Sequence, residues 1–223
     1  MQLNGMGVIF DVDGVLVNSY RAHLESWQRA AAKHQLKMTE DDFARTFGRT
    51  SRDIIAHLWP GRFDEAGIGK FDEEKESAYR DILRVKFPEM AGASDLIASL
   101  HEAGFKLAIG SSGPPENVQL VKQTIRHGEF ISAMVNGKDV KHGKPNPEVF
   151  LIAAKKLALE AGKCAVVEDA PVGLEAARRA GMAAIGLTGT AKRDALAVHA
   201  HVVVDHLSDL TPKIVAELIA TRL

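Results

Sequence analysis

A single cysteine, Cys164, stands in 223 residues, so no internal disulfide is possible. The chain is expected in a reducing cytoplasm, held together by its core rather than by covalent staples. Within Cys-Ala-Val-Val the thiol reads as a small core side chain, not a nucleophile. No apolar run approaches the ~20 residues that a membrane span requires. No basic stretch precedes an apolar region at the N-terminus, and no signal peptide is expected. Neither sign of charge dominates, since 28 Lys and Arg against 29 Asp and Glu leave a formal net charge of −1. Electrostatics therefore favours neither nucleic acid nor a membrane surface as a partner. Repeats and low-complexity tracts are absent as well. With 46% hydrophobic and 26% charged residues, the composition is that of an ordinary soluble chain. Its length suits one large domain, or a core carrying an insertion.

Against these absences stand short apolar runs with the look of strands. Five are Met6–Phe10, Phe105–Gly110, Ala133–Val135, Ala165–Val167 and Ala183–Leu187, and Val202–Val204 is a sixth. Helical patterns lie between most of them. Pro114–Arg126, Pro147–Leu159 and Pro171–Ala180 each open on proline, which suits a first helical turn. Gly104 and Gly181 follow alanine-rich helical ends, where a left-handed cap is expected. Strands alternating with helices predict an α/β fold, a doubly wound parallel sheet covered on both faces.

The alternation breaks once. Residues 19–87 contain no convincing strand but do contain helical spacing, as in Tyr20, Leu24, Trp27 and Ala31. Asn18 or Ser19 is placed to cap the first helix. This segment reads as an all-helical insertion, with 1–18 and 88–223 forming the core. The acidic stretch Asp64–Glu76 within it reads as a solvated face.

The ends of the strands carry the chemistry. The first apolar run finishes in Asp11-Val-Asp13-Gly14. In an extended chain residues i and i+2 point the same way, so both carboxylates emerge together. Like charges that close call for a cation or a shared proton. The second strand runs into Ser111-Ser112-Gly-Pro-Pro, a hydroxyl and backbone N–H groups at a helix start that suit a phosphate. In Gly143-Lys144-Pro145-Asn146-Pro147, proline holds Lys144 extended and Asn146 caps the helix that follows. The fourth strand ends in Glu168-Asp169, oxygen ligands of the kind Mg²⁺ takes. Each has a plainer reading: a solvated turn, a serine N-cap, a solvated lysine, acids drawn to a helix N-terminus.

Taken in order, Asp11-Val-Asp-Gly-Val, Ser111, Lys144 and Glu168-Asp169 resemble the motifs of the haloacid-dehalogenase superfamily, in its β-phosphoglucomutase and phosphatase-like branch. The resemblance spans essentially the whole chain and makes the insertion a helical cap. It implies that Asp11 is the nucleophile forming an aspartyl-phosphate and that Asp13 is the general acid and base. It implies Mg²⁺ held by the Asp11 carboxylate, the Asp13 carbonyl and Asp169, with Glu168 in support. Ser111 and the N–H groups of Val12, Asp13 and Ser112 would then hold phosphoryl oxygens, and Lys144 would neutralise charge. Four carboxylates plus a dianionic ester need both cations. Dehalogenases of the superfamily lack the second aspartate, so Asp13 favours phosphoryl transfer.

In the cap, His23 near the hinge, Lys75, and Gly48-Arg49-Thr50-Ser51-Arg52 resemble substrate-contacting positions of the mutase. The alternatives are a solvated His23, and a helix capped by Thr50 or Ser51 with both arginines in water. Two departures weaken a mutase: Gly48 replaces a lysine of its substrate loop, and Pro114-Pro115 replace a polar pair. The expected activity is hydrolysis of a small phosphorylated metabolite such as a sugar phosphate, by a monomer or weak homodimer. A β-phosphoglucomutase-like phosphomutase is the alternative, and a non-catalytic binding protein on the same fold is a third reading that the intact motif set opposes.

Overall fold

Gly7-Val-Ile-Phe10 has no polar residue on either face, and such a run is stable only where both faces are covered. In the computed structural model, which describes residues 5–221, this run is β1 (Gly7–Phe10), buried throughout. The other strands are β2 (Lys106–Gly110), β3 (Ile131–Val135), β4 (Cys164–Glu168), β5 (Ala183–Leu187) and β6 (Val202–Val204). All pair in parallel in the order β3-β2-β1-β4-β5-β6. The third strand begins at Ile131, two residues ahead of the expected start, because Ser132 turns its half-exposed side of an edge strand to solvent and hides the apolar pattern.

The chain separates into two compact units, Met1–Asn18 with Pro88–Leu223, and Ser19–Phe87. In the first, helices α5 (Ala93–Glu102), α6 (Pro115–Thr124), α7 (Glu148–Lys156), α8 (Pro171–Arg179), α9 (Arg193–Ala197) and α10 (Pro212–Ala220) follow their strands. On one face Ile9, Ala108, Val166 and Ala184 share a core with Phe150, Leu157 and Leu174. The opposite face is equally buried and meets α5 and α10. Gly104 and Gly181 adopt φ +93° and +76° after their helices, the left-handed caps expected of them. The segments flanking the insertion run side by side, with Asn18 N–H on the Pro88 carbonyl at 2.8 Å and Met90 N–H on that of Leu16 at 2.9 Å.

The second unit is four helices: α1 (Tyr20–Lys33), α2 (Glu40–Thr46), α3 (Ser51–Leu58) and α4 (Glu65–Val85). The Leu24, Trp27 and Ala31 stripe packs against Phe43, Ile54, Ile55 and Phe71. Thr39, Thr50 and Asp64 cap the last three helices through side-chain oxygens. Two expectations fail here. Ser19 sits at the first N-cap in a helical conformation (φ −87°, ψ −9°) and makes no capping bond; capping needs an extended residue whose side chain can reach back. Nor is Asp64–Glu76 simply a solvated face, since Glu74 meets His34 at 2.8 Å and Glu76 meets buried Lys75 at 2.6 Å.

Candidate active site

Strand register decides what meets at the carboxyl edge of the sheet. Phe10 lies opposite Ile109 on one side and Val167 on the other. The next residues of three neighbouring strands, Asp11, Gly110-Ser111 and Glu168-Asp169, therefore emerge at one level. This is also where strand order reverses direction, the crevice in which open α/β sheets place ligands. Asp11 N–H remains tied to the Val167 carbonyl at 3.0 Å. A groove of about 560 Å³ involving Met6, Ala103 and Pro212 lies at the opposite, amino end of β1 and contains none of this chemistry.

Lys144 reaches the cluster from the loop before α7. Its Nζ donates to Asp11 Oδ1 at 2.6 Å and to Glu168 Oε1 at 2.7 Å, with its side chain 9% exposed. The ammonium also lies 5.0 Å from the centre of the Phe150 ring. The loop is stiff for reasons only partly expected. Lys144 is in a turn with a cis bond to Pro145, not an extended segment, because Asn146 N–H closes on the Gly143 carbonyl at 3.0 Å. Asn146 Oδ1 does accept the first helical N–H, from Glu148, at 3.0 Å. Glu148 Oε2 in turn accepts the N–H groups of Lys141 and His142, at 3.0 and 2.9 Å.

The carboxylates are buried: Asp11 is 8% exposed, Glu168 2% and Asp169 6%. Burial pushes Asp11 up to about 7; Glu168 and Asp13 add to the rise, and Lys144 opposes it. Asp169 is raised by burial and then by Glu168 and Asp11, against a hydrogen bond from Thr190. Burial works to lower Lys144, but Asp11 and Glu168 outweigh it, and its value is raised so that it stays an ammonium. Among the described residues Asp13 and Asp169 thus add negative charge to a cluster in which Lys144 pairs with Asp11 and Glu168.

That surplus of hard oxygen and negative charge fits a divalent cation. So does the backbone at Gly14, which takes φ +77° and whose Cβ, if present, would fall 1.8 Å from Asp169 Oδ2. Glu168 is the exception among the expected metal residues. One of its oxygens is on Lys144 and the other accepts Ala170 N–H at 2.8 Å, and a Cβ at residue 173 would strike it, which makes Gly173 necessary. Among the described residues no group of three His, Cys, Asp or Glu side chains is arranged around one metal position. The donor set left is two carboxylates, Asp11 and Asp169, with the backbone beside Asp13.

Ser111 is buried at the end of β2, and its hydroxyl accepts Gly113 N–H at 3.0 Å. Ser112 is exposed. Among the described residues the N–H groups of Val12 and Ser112 have no protein acceptor. In the helical unit, His23 Nδ1 and Lys75 Nζ are 3.2 Å apart, and the His23 ring stacks on Tyr79 at 4.2 Å. His23 is thus not a solvated helix residue. Thr50 rather than Ser51 caps α3; Arg49 is exposed and Ser51 half-buried. The Arg52 guanidinium is doubly bonded to Glu65, a partner 13 residues away.

Sequence reasoning missed Thr190, whose hydroxyl lies beside Asp169. The available signal was its place: Thr188-Gly-Thr190 follows β5 on the same edge of the sheet.

The model of the family described as haloacid dehalogenase-like hydrolase matches residues 6–181. The validoxylamine A 7'-phosphate phosphatase of Streptomyces hygroscopicus subsp. limoneus is 31% identical over 197 residues, 85% of this chain and 88% of that protein. The β-phosphoglucomutase of Bacillus subtilis is 26% identical over 94% of this chain and 93% of its own. Among solved structures, a HAD hydrolase (family IA, variant 3) from Entamoeba histolytica superposes with a TM-score of 0.86 at 26% identity, covering 96% of this chain and 99% of that one.

Proposed function

Because the chain belongs to the haloacid dehalogenase-like hydrolase family, we propose that it is a Mg²⁺-dependent phosphatase of small phosphomonoesters, sugar phosphates or related metabolites, acting through an aspartyl-phosphate. The observation that carries the reading is the buried cluster in which Lys144 bridges Asp11 and Glu168. Lys144 holds one oxygen of Asp11 and fixes the carboxylate, leaving the other to attack phosphorus. As that bond forms, the bond from phosphorus to the ester oxygen breaks, and the Asp13 carboxyl gives its proton to the departing alkoxide. Water then attacks the phosphorus of the aspartyl-phosphate and loses its proton to Asp13; inorganic phosphate leaves and Asp11 is restored. The Ser111 hydroxyl and the N–H groups of Val12, Asp13 and Ser112 bind the non-bridging oxygens. Asp11, Asp169 and the Asp13 carbonyl would hold Mg²⁺. Bound there, the ion supplies positive charge that the carboxylates lack and polarises the phosphoryl group.

Hydrolysis is favoured over transfer between two positions of a sugar. Pro114 and Pro115 at the start of α6 bring neither a side-chain donor nor an N–H to the phosphate-binding turn, and Gly48 brings no cation. A mutase must hold both phosphates of a bisphosphate intermediate. We assign the choice of leaving group to the helical insertion, the cap of the family, through His23, Lys75 and Arg49. The lone buried Cys164 fits a reducing cytoplasm, and among the described residues no helix is long and apolar enough to cross a membrane.

A phosphate-release screen over sugar phosphates and related metabolites with Mg²⁺ tests the proposal. Release from at least one sugar phosphate is expected. Conversion of a hexose 1-phosphate to its 6-phosphate without release would establish the mutase instead, and no turnover of any ester would leave a binding protein.

A further inference from the structure

The loop after β5 is anchored more firmly than a solvent loop needs. Thr188 N–H donates to the Val204 carbonyl at 3.0 Å, and its hydroxyl donates to Asp205 Oδ1 at 2.8 Å. Arg193 locks the same point from α9, on the Val203 carbonyl at 2.8 Å and on Asp205 at 2.8 Å. Gly189 then takes φ +143°, a conformation open to glycine, and the chain turns back toward the site. The outcome is that the Thr190 hydroxyl lies beside the Asp169 carboxylate, at the Cβ-less face of Gly14. Both groups flank one point: where Gly14 lacks a Cβ, Asp169 Oδ2 is 1.8 Å away and Thr190 Oγ1 is 2.9 Å away. Thr190 itself is exposed, whereas Asp169 is 6% exposed.

We infer that Thr190 is a positioning residue that aims the Asp169 carboxylate for Mg²⁺, held in place by the Arg193–Asp205–Thr188 clamp at the edge of the sheet. The inference rests on the functional reading above. Asp169 has little else to orient it: Glu168 is tied to Lys144 and Ala170, and the backbone at Gly14 limits Asp169 on one side without bonding to it. The Thr190 hydroxyl bounds it from another side and offers its oxygens a donor. Thr190 never touches substrate in this scheme, so its loss should move metal affinity and leave ester affinity alone.

Titration of the full-length protein with MgCl₂ by calorimetry is the test, on wild type, Thr190→Val and Thr190→Ser. Valine keeps the shape and removes the hydroxyl; serine restores the hydroxyl. Outer-shell partners of metal ligands are typically worth 10–100-fold in affinity, so Thr190→Val should bind Mg²⁺ about tenfold more weakly and Thr190→Ser within about threefold of wild type. The Mg²⁺ needed for half-maximal release of phosphate from p-nitrophenyl phosphate should rise by the same factor. KM for that ester at saturating Mg²⁺ should not change. Thr190→Ala, lacking the hydroxyl and the branched methyl, should reproduce the valine result and serves where valine disturbs folding. Wild-type Mg²⁺ affinity in a folded variant lacking the hydroxyl overturns this inference alone. Wild-type protein that binds no Mg²⁺ overturns the functional reading and this inference with it.

Discussion

Removing the Lys144 ammonium from the carboxylate cluster probes its electrostatics directly. Lys144→Met keeps most of the stem beside Phe150 and deletes the charge. Breaking a buried ion pair from one side costs about 3–5 kcal/mol where the stranded charge has no escape. A carboxylate has one, which is to hold a proton. With the metal chelated, burial already pushes Asp11 up to about 7 while Lys144 pulls it back, so without the lysine it climbs further. A carboxyl raised in the folded state keeps a proton that the unfolded chain, with its pKa near ~3.9, releases. Its stabilisation is whole below the unfolded value and is lost as pH rises to the folded one, at about 1.4 kcal/mol per pH unit for one proton. In the wild type that decline ends near pH 7; in the variant it runs on. Urea unfolding in excess chelator, from pH 6 to pH 9, should show a stability gap that widens above pH 7 by about 1.4 kcal/mol per unit. A gap of constant size across that range would refute the account and reduce Lys144 to a packing contact on Phe150.

Other expectations follow from the same geometry. Asp11→Asn is nearly isosteric at a strand end and should fold normally while losing turnover; retention of a tenth of kcat, only about 1.4 kcal/mol of barrier, contradicts a covalent step on Asp11. Phosphate release should vanish in chelator and return with Mg²⁺, but poorly with Ca²⁺, whose larger and looser shell misplaces Asp11; undiminished activity in excess chelator removes the metal from the scheme. Arg49→Ala should raise KM for the preferred sugar phosphate about tenfold, as loss of a charge-assisted hydrogen bond does, and barely change that for p-nitrophenyl phosphate. Arg52→Ala should move neither, since Glu65 already occupies its guanidinium; a selective KM effect at Arg52 and none at Arg49 would reverse the assignment.

The polar carboxyl edge of the sheet was legible in the sequence for a physical reason. A buried parallel strand leaves an uninterrupted apolar run, and a polar residue just beyond it has one place to go. Asp11, Ser111 and Glu168-Asp169 could therefore be put on a single rim before any pairing was known, and the register of β1 with β2 and β4 puts them there. Lys144 was legible only as a constrained residue. Its turn is closed by Asn146 and Glu148, whose bonds to Gly143, Lys141 and His142 no periodicity encodes. The acids at the end of β4 do not by themselves rank Glu168 below Asp169 as a ligand; the resemblance gives Glu168 a supporting place, and the backbone donor at Ala170 and the reach of Lys144 supply a physical reason for it.

In the helical insertion the pattern says less, because helical spacing reports which face is buried and nothing about polar partners. The stripe from Leu24 to Ala31 was readable. The burial of Lys75 was not: neighbours in sequence on a helix ordinarily diverge, yet Lys75 and Glu76 meet at 2.6 Å with side chains 6% and 13% exposed. Packing of α1 on α4, which brings His23 to the ammonium that Tyr79 flanks from α4 itself, makes that possible. Arg52 shows the same limit from the other direction, since its partner Glu65 lies across a loop. Chemistry at strand ends is dictated locally, whereas the recognition we propose for the insertion depends on which side chains tertiary packing leaves available. The reaction class is for that reason far better determined here than the identity of the leaving group, and Arg49, exposed and outside every ion pair of the described residues, is the insertion's side chain on which that identity can first be tested.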